Sequence, residues 1–156
     1  MGAAPRVAAP GLGAAVRSDD RPVLLATLGV PFDGSASAFA VDSAVESARP
    51  LIVVNCVELP PLPMSVNMRY DQLEYTTEMA ESLSAVTDLA HSLGVHVERL
   101  RVRSPRPVEA LLELVADLRP GLLVFGADSR ILSRRVRRKA VCAITDKVSC
   151  LVWLAD

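Results

Sequence analysis

The chain predicts an α/β domain, a single doubly wound open sheet of five parallel strands with helices on both faces. Three observations lead there. Short apolar runs alternate five times with stretches of helical periodicity, as strands and their crossover helices do. The run at 51–57, Leu-Ile-Val-Val-Asn-Cys-Val, is continuously apolar, which suits a central parallel strand covered on both faces. Proline or glycine stands at most junctions, at Pro31, Pro50, Gly94, Pro107, Pro120 and Gly121, where each punctuates an element end.

With 156 residues the chain has room for one domain with a substantial core and is short for two. A formal net charge of -1 provides no global field toward nucleic acid or an anionic membrane, so neither partner is expected. Cys56, Cys142 and Cys150 are odd in number and widely spaced, and they read as reduced, buried thiols of a cytoplasmic protein. His91 and His96 complete no metal-ligand spacing with them. No apolar run approaches the roughly 18 residues that a membrane span needs. Residues 1–20 are rich in Ala, Gly and Pro and are read as a disordered tail, with the domain proper at 21–156. Arg6 and Arg17, its only charges before Asp19, also suit an organelle transit segment.

In chain order, 23–30 is expected to form the buried first strand, closed by a turn at Pro31-Phe32-Asp33-Gly34-Ser35. Ser35 or Ser37 would cap a helix through Arg49, with Ala38, Val41, Val45 and Ala48 on one face. The second strand, 51–57, carries one polar residue, Asn55, which is either a hydrogen-bonded buried amide or a ligand contact. Pro60, Pro61 and Pro63 make 58–69 a loop. A long helix at 71–93 follows, with Met79, Leu83, Val86, Ala90 and Leu93 as its stripe. Residues 95–103 form a strand in which Arg99, Arg101 and Arg103 share a face with Val95 and Val97. Its apolar phase then moves to Leu100 and Val102, which predicts an edge strand with a bulge or twist. Pro107 opens a helix whose apolar residues are Val108, Leu111, Leu112, Val115 and Leu118. A strand at 122–125, a basic loop, a short helix at 140–148 and a last strand at 150–154 close the chain.

The segment 122–139 is the one with functional character. An apolar run ends at Phe125-Gly126 and gives way to Arg130, Arg134, Arg135, Arg137, Arg138 and Lys139, with no acid after Asp128. In an open parallel sheet, ligands sit beyond the carboxyl ends of the strands, and a glycine there admits a phosphate close to the backbone. The plainest reading of these arginines is a solvated basic surface. Bidentate contact with a phosphate is the sharper one. Neither a G-x-x-x-x-G-K-[ST] run nor a G-x-S-x-G elbow occurs, and no Cys-His or Ser-His pairing is legible, so an enzyme is not expected.

The succession of Asp33-Gly34-Ser35, Asn55-Cys56-Val57, Gly94-Val95, the Pro-led helix, Phe125-Gly126 and the apolar strand after Cys150 resembles a universal stress protein domain over 23–156. The resemblance implies the strand order 3-2-1-4-5, with a cleft between the first and fourth strands. It also implies adenine and ribose contacts at Asp33 and Cys56, and phosphate contacts from a loop of pattern G-x2-G-x9-G-(S/T). Gly126 keeps the first glycine of that loop, beside Phe125. Ser129 replaces the second and Lys139 the third; counted back from Cys150, Arg138 and Lys139 fall at its end. Leu28 to Phe32 lengthen the approach to Asp33. The expectation is therefore a non-enzymatic, homodimeric stress-response domain with a degenerate nucleotide site, pairing through its last strand, whose apolar edge carries no charge. The alternative is a binder of ATP, another adenine nucleotide or another phosphorylated ligand, in which an Arg-rich loop replaces the glycines. No cofactor is certain.

Overall fold

In a computed structural model of the chain, residues 21–59 and 77–156 are described. Within them, nine elements alternate: β1 (Val23–Thr27), α1 (Gly34–Ser47), β2 (Leu51–Glu58), α2 (Thr77–Ser92), β3 (Val97–Ser104), α3 (Pro107–Leu118), β4 (Leu122–Phe125), α4 (Arg134–Lys147) and β5 (Leu151–Leu154). The strands form one parallel sheet in the order β3-β2-β1-β4-β5. The terminal segment 1–20, the Pro-rich loop and the start of the predicted 71–93 helix lie outside the described residues.

Alternation along the strands divides the core. Val23, Leu25, Leu51, Val53 and Val124 face α1 and α2, while Leu24, Ala26, Ile52, Val54, Leu123 and Phe125 face α3 and α4. β1 is buried along its whole length, as is β2 as far as Val57, because they and β4 have strands on both sides and helices above and below. That arrangement explains the continuous apolar runs.

Several local expectations change. β1 stops at Thr27, because Gly29 turns the chain with φ 75° and Thr27 Oγ1 donates to the Val30 carbonyl at 2.7 Å. The cap of α1 is Asp33, neither Ser35 nor Ser37: its Oδ1 accepts from the backbone N–H groups of Ser35 and Ala36. The buried stripe of α1 is then Ala36, Ala40, Val41 and Ala44, and Val45 is exposed. β3 is an edge strand as expected, but it carries no bulge. Its register with β2 runs unbroken from Leu51↔Val97 to Glu58↔Ser104, and the phase change reflects the use of both faces, with Val97 on one side and Leu100 and Val102 on the other. Cys56 is buried as expected, whereas Cys142 is exposed and Cys150 half-buried.

The largest change concerns the basic segment. Residues 134–139 belong to α4 and not to a loop, because Ser133 caps the helix by accepting from Val136 N at 3.2 Å. Arginine is a good helix former, and Ala140 and Ile144 give this helix its buried anchor.

Candidate functional site

The strand order reverses between β1 and β4, so the crevice beyond their carboxyl ends is where this architecture holds a ligand. Two loops frame it, residues 28–33 after β1 and 126–133 after β4. They are joined to each other. Phe32 and Ala127 form an antiparallel bridge, Asp33 N donates to the Gly126 carbonyl at 2.8 Å, and Asp128 N donates to the Pro31 carbonyl at 3.0 Å. Phe32 N donates in turn to Ser82 Oγ of α2 at 2.9 Å, and the Phe32 ring is buried in the core. The extra residues before Asp33 are thus the ones that span the crevice.

The predicted site residues are brought to this end of the sheet, each with a structural task. Asp33 caps α1, and its Oδ1 also accepts from the Ser35 hydroxyl. That hydroxyl, with the two backbone N–H groups, holds the carboxyl below its ordinary value against the opposing effects of burial and of Asp128. Cys56 lies in the core, where burial pushes its thiol up to about 12. Phe125 is 1% exposed and packs on the α3–α4 side. A Cβ at Gly126 would stand 2.9 Å from both Ala36 Cβ and Leu25 Cδ1, so close packing of α1 on the sheet already requires this glycine. Ser129 Oγ donates to the Asp156 carbonyl at 2.6 Å. Arg138 and Lys139 are exposed on α4.

Two further arginines are also engaged. Arg130 grips Asp128 bidentately, Nε to Oδ1 at 3.0 Å and Nη2 to Oδ2 at 2.8 Å, and Asp128 is 4% exposed. Hydrogen bonding from Arg130 holds the Asp128 carboxyl below its usual range. Arg137 Nη2 donates to the Ala155 carbonyl. Asn55 is a buried amide hydrogen-bonded through its Oδ1, which accepts from Gly29 N at 2.8 Å and shapes the turn after β1, while its Nδ2 has no partner among the described residues. Sequence reasoning missed Asp128 and Ser82. Asp128 was legible as an Asx turn, since its Oδ1 accepts from Arg130 N two residues on at 2.9 Å; nothing local marked Ser82.

An open groove of about 610 Å³ lies beside the bridge, between α1, α2 and the 126–133 loop. Among the described residues, Glu78, Glu81 and Asp128 line it against a single cation, Arg130, which is already paired. Such a lining repels phosphate. A groove of about 620 Å³ opens at the opposite, amino end of the strands, where Arg119 and Lys147 sit at the ends of α3 and α4 and complement their carbonyl poles. It is remote from the switch point.

Asp33 and Asp128 make stability depend on acid in a defined direction. A carboxyl depressed in the folded state stabilises the fold above its unfolded pKa, and that contribution disappears as pH falls through the folded value. Thermal midpoints are therefore expected to hold near neutrality and to fall below about pH 4. Asp128→Asn should flatten the fall, and an unchanged acid limb in that variant would show that the pair has no such role.

Taken together, the sheet order, the helices on both faces and the switch-point loops define a doubly wound, open-sheet α/β domain whose loops after β1 and β4 are bridged by backbone. The sequence matches the universal stress protein family model over residues 21–153, and the chain belongs to that family. No curated protein matches it. Among solved structures, a universal stress protein family member from Burkholderia pseudomallei is 17% identical with a TM-score of 0.64, covering 89% of this chain and 98% of its own. The universal stress protein from Archaeoglobus fulgidus in complex with dAMP is 18% identical, TM-score 0.55, covering 86% and 97%. An Arabidopsis thaliana family protein with AMP bound is 16% identical, TM-score 0.51, covering 85% and 90%.

Proposed function

We propose that this chain is a non-catalytic, homodimeric, cytoplasmic stress-response regulator whose nucleotide site is degenerate. The observation that carries the reading is the Phe32–Ala127 bridge, which puts backbone across the crevice between β1 and β4. Supporting it, in the span that a G-x2-G-x9-G loop would occupy, the backbone N–H groups of Gly126, Asp128, Arg130, Ile131 and Leu132 already donate within the chain, and α4 takes over from Arg134. The hydroxyl of Ser129 and the guanidinium of Arg137 are engaged by the backbone carbonyls of Asp156 and Ala155.

The second reading, an adenine-nucleotide or other phosphorylated-ligand binder, is favoured by the dAMP and AMP named with two of the similar structures. Against it stand the acidic lining of the adjacent groove and the engagement of Arg130 and Arg137. Denaturing natively purified protein and analysing the supernatant by mass spectrometry separates the two. An empty protein that also gives no heat on titration with ATP is the expected result. Stoichiometric adenylate would overturn the degenerate site.

The homodimer is supported by β5. It lies at the sheet edge, Leu151 is 76% exposed, and Trp153 stacks on the exposed Phe39 of α1 with ring centroids 4.9 Å apart. An apolar edge of this kind is covered most economically by a symmetry mate. Light scattering is expected to give twice the monomer mass for the native chain and the monomer mass for Leu151→Arg. A monomeric native chain at micromolar concentration would exclude this mode.

A further inference from the structure

α4 carries an electrostatic arrangement that neither the fold nor a nucleotide explains. Its first six residues include Arg134, Arg135, Arg138 and Lys139, all exposed, with no acid in the first turn. Arg134 and Arg138, and likewise Arg135 and Lys139, are like-charged neighbours at i,i+4 and repel each other. Arg134 and Arg135 also stand in the first turn, at the positive end of the helix dipole, where cations are disfavoured. None makes an ion pair or side-chain hydrogen bond among the described residues. The two cationic pairs form adjacent rows, each spanning about 6 Å along the helix axis. At the edge of this face two large apolar side chains are also exposed, Ile131 at 52% and Val136 at 39%.

We propose that this face of α4 docks an acidic protein segment in which carboxylates alternate with aliphatic side chains. Carboxylates would take the Arg134/Arg138 and Arg135/Lys139 rows, where the guanidinium groups donate to them bidentately, the Lys139 ammonium adds a point charge and the unfavourable charge density is relieved. The aliphatic residues would cover Ile131 and Val136. Charge complementarity selects this partner over two others. Single-stranded nucleic acid stacks its bases on aromatic side chains, and residues 126–150 contain none, while the whole chain has a net charge of -1. An anionic bilayer presents its charge as a continuous surface and on reaching Ile131 would meet Glu78 and Glu81 of the same groove, whereas a peptide can set an uncharged aliphatic residue there. The inference goes beyond the proposed function, since it holds whether or not the crevice carries a nucleotide.

The test uses the full chain and fluorescence anisotropy with three probes: a synthetic Glu/Leu-rich peptide, a single-stranded oligonucleotide, and vesicles containing phosphatidylserine. The peptide is expected to bind tightest, with affinity falling as salt is raised across the range where the Debye length shrinks to about 8 Å and below. The fourfold variant R134A/R135A/R138A/K139A should lose about tenfold or more in peptide affinity, and I131S a smaller factor. Thermal unfolding of the fourfold variant should occur at the native midpoint or above, because repulsion has been removed, and this separates lost docking from lost folding. Absence of peptide binding, equal binding by the fourfold variant, or tighter binding of oligonucleotide or vesicles would each overturn the proposal. So would conversion of a native dimer to monomer in that variant, which would assign the face to a second copy of the chain.

Discussion

Phe125→Ala is expected to destabilise the protein by about 3–5 kcal/mol, read as a lower urea midpoint with an unchanged slope. The ring is 1% exposed on the α3–α4 side of the sheet, in the same core as Leu24, Leu123 and Ile144. Its removal leaves a cavity that neighbouring strands cannot close, because β4 is held between β1 and β5 along its length. Against a typical domain stability of about 5–15 kcal/mol, that loss is a large fraction. Phe125→Leu, which keeps most of the volume, should cost below about 1.5 kcal/mol. The alternative assignment of Phe125, as a contact for a ligand, predicts near-native stability for the alanine variant.

Gly126→Ala should cost about 1–3 kcal/mol, for a different reason. The added methyl would meet Ala36 Cβ and Leu25 Cδ1 at 2.9 Å each, so either α1 lifts from the sheet or the bridge to Phe32 and Asp33 distorts. Because one of the two contacts is with the helix residue Ala36, the cost should be partly relieved in a second background, Ala36→Gly. A double-mutant cycle is expected to give a coupling above about 0.5 kcal/mol. A glycine retained only for phosphate approach would tolerate the methyl in the unliganded protein, and additive free energies would point there.

The neighbouring residues Phe125 and Gly126 illustrate how much of the site was legible. The apolar run ending in a glycine marks a strand end at the ligand side of the sheet, and that placement is correct. The resemblance places both residues at a ligand site, and the packing gives each a structural task of its own. One ring belongs to the core, and the missing side chain makes room for α1. Asp33 follows the same pattern: its position after the first strand was legible, and its work as a helix cap depends on where α1 starts. The arginines were read as a loop because a run of charges has no apolar periodicity of its own. Ser133, one residue before them, decided the matter by capping.

Local chemistry therefore determined the succession of elements in this protein and the burial of its central strands. Period-two and continuous apolar runs, helical stripes and proline or glycine breaks are properties of a few adjacent residues, and they were sufficient to place the strands as central or edge. Only the tertiary structure decided the state of the crevice. Phe32 and Ala127 are far apart in the chain, as are Ser129 and Asp156, and Asp33 and Gly126. Their hydrogen bonds form because parallel strands in the order β3-β2-β1-β4-β5 bring those backbones side by side, and backbone pairing leaves no trace in side-chain identity.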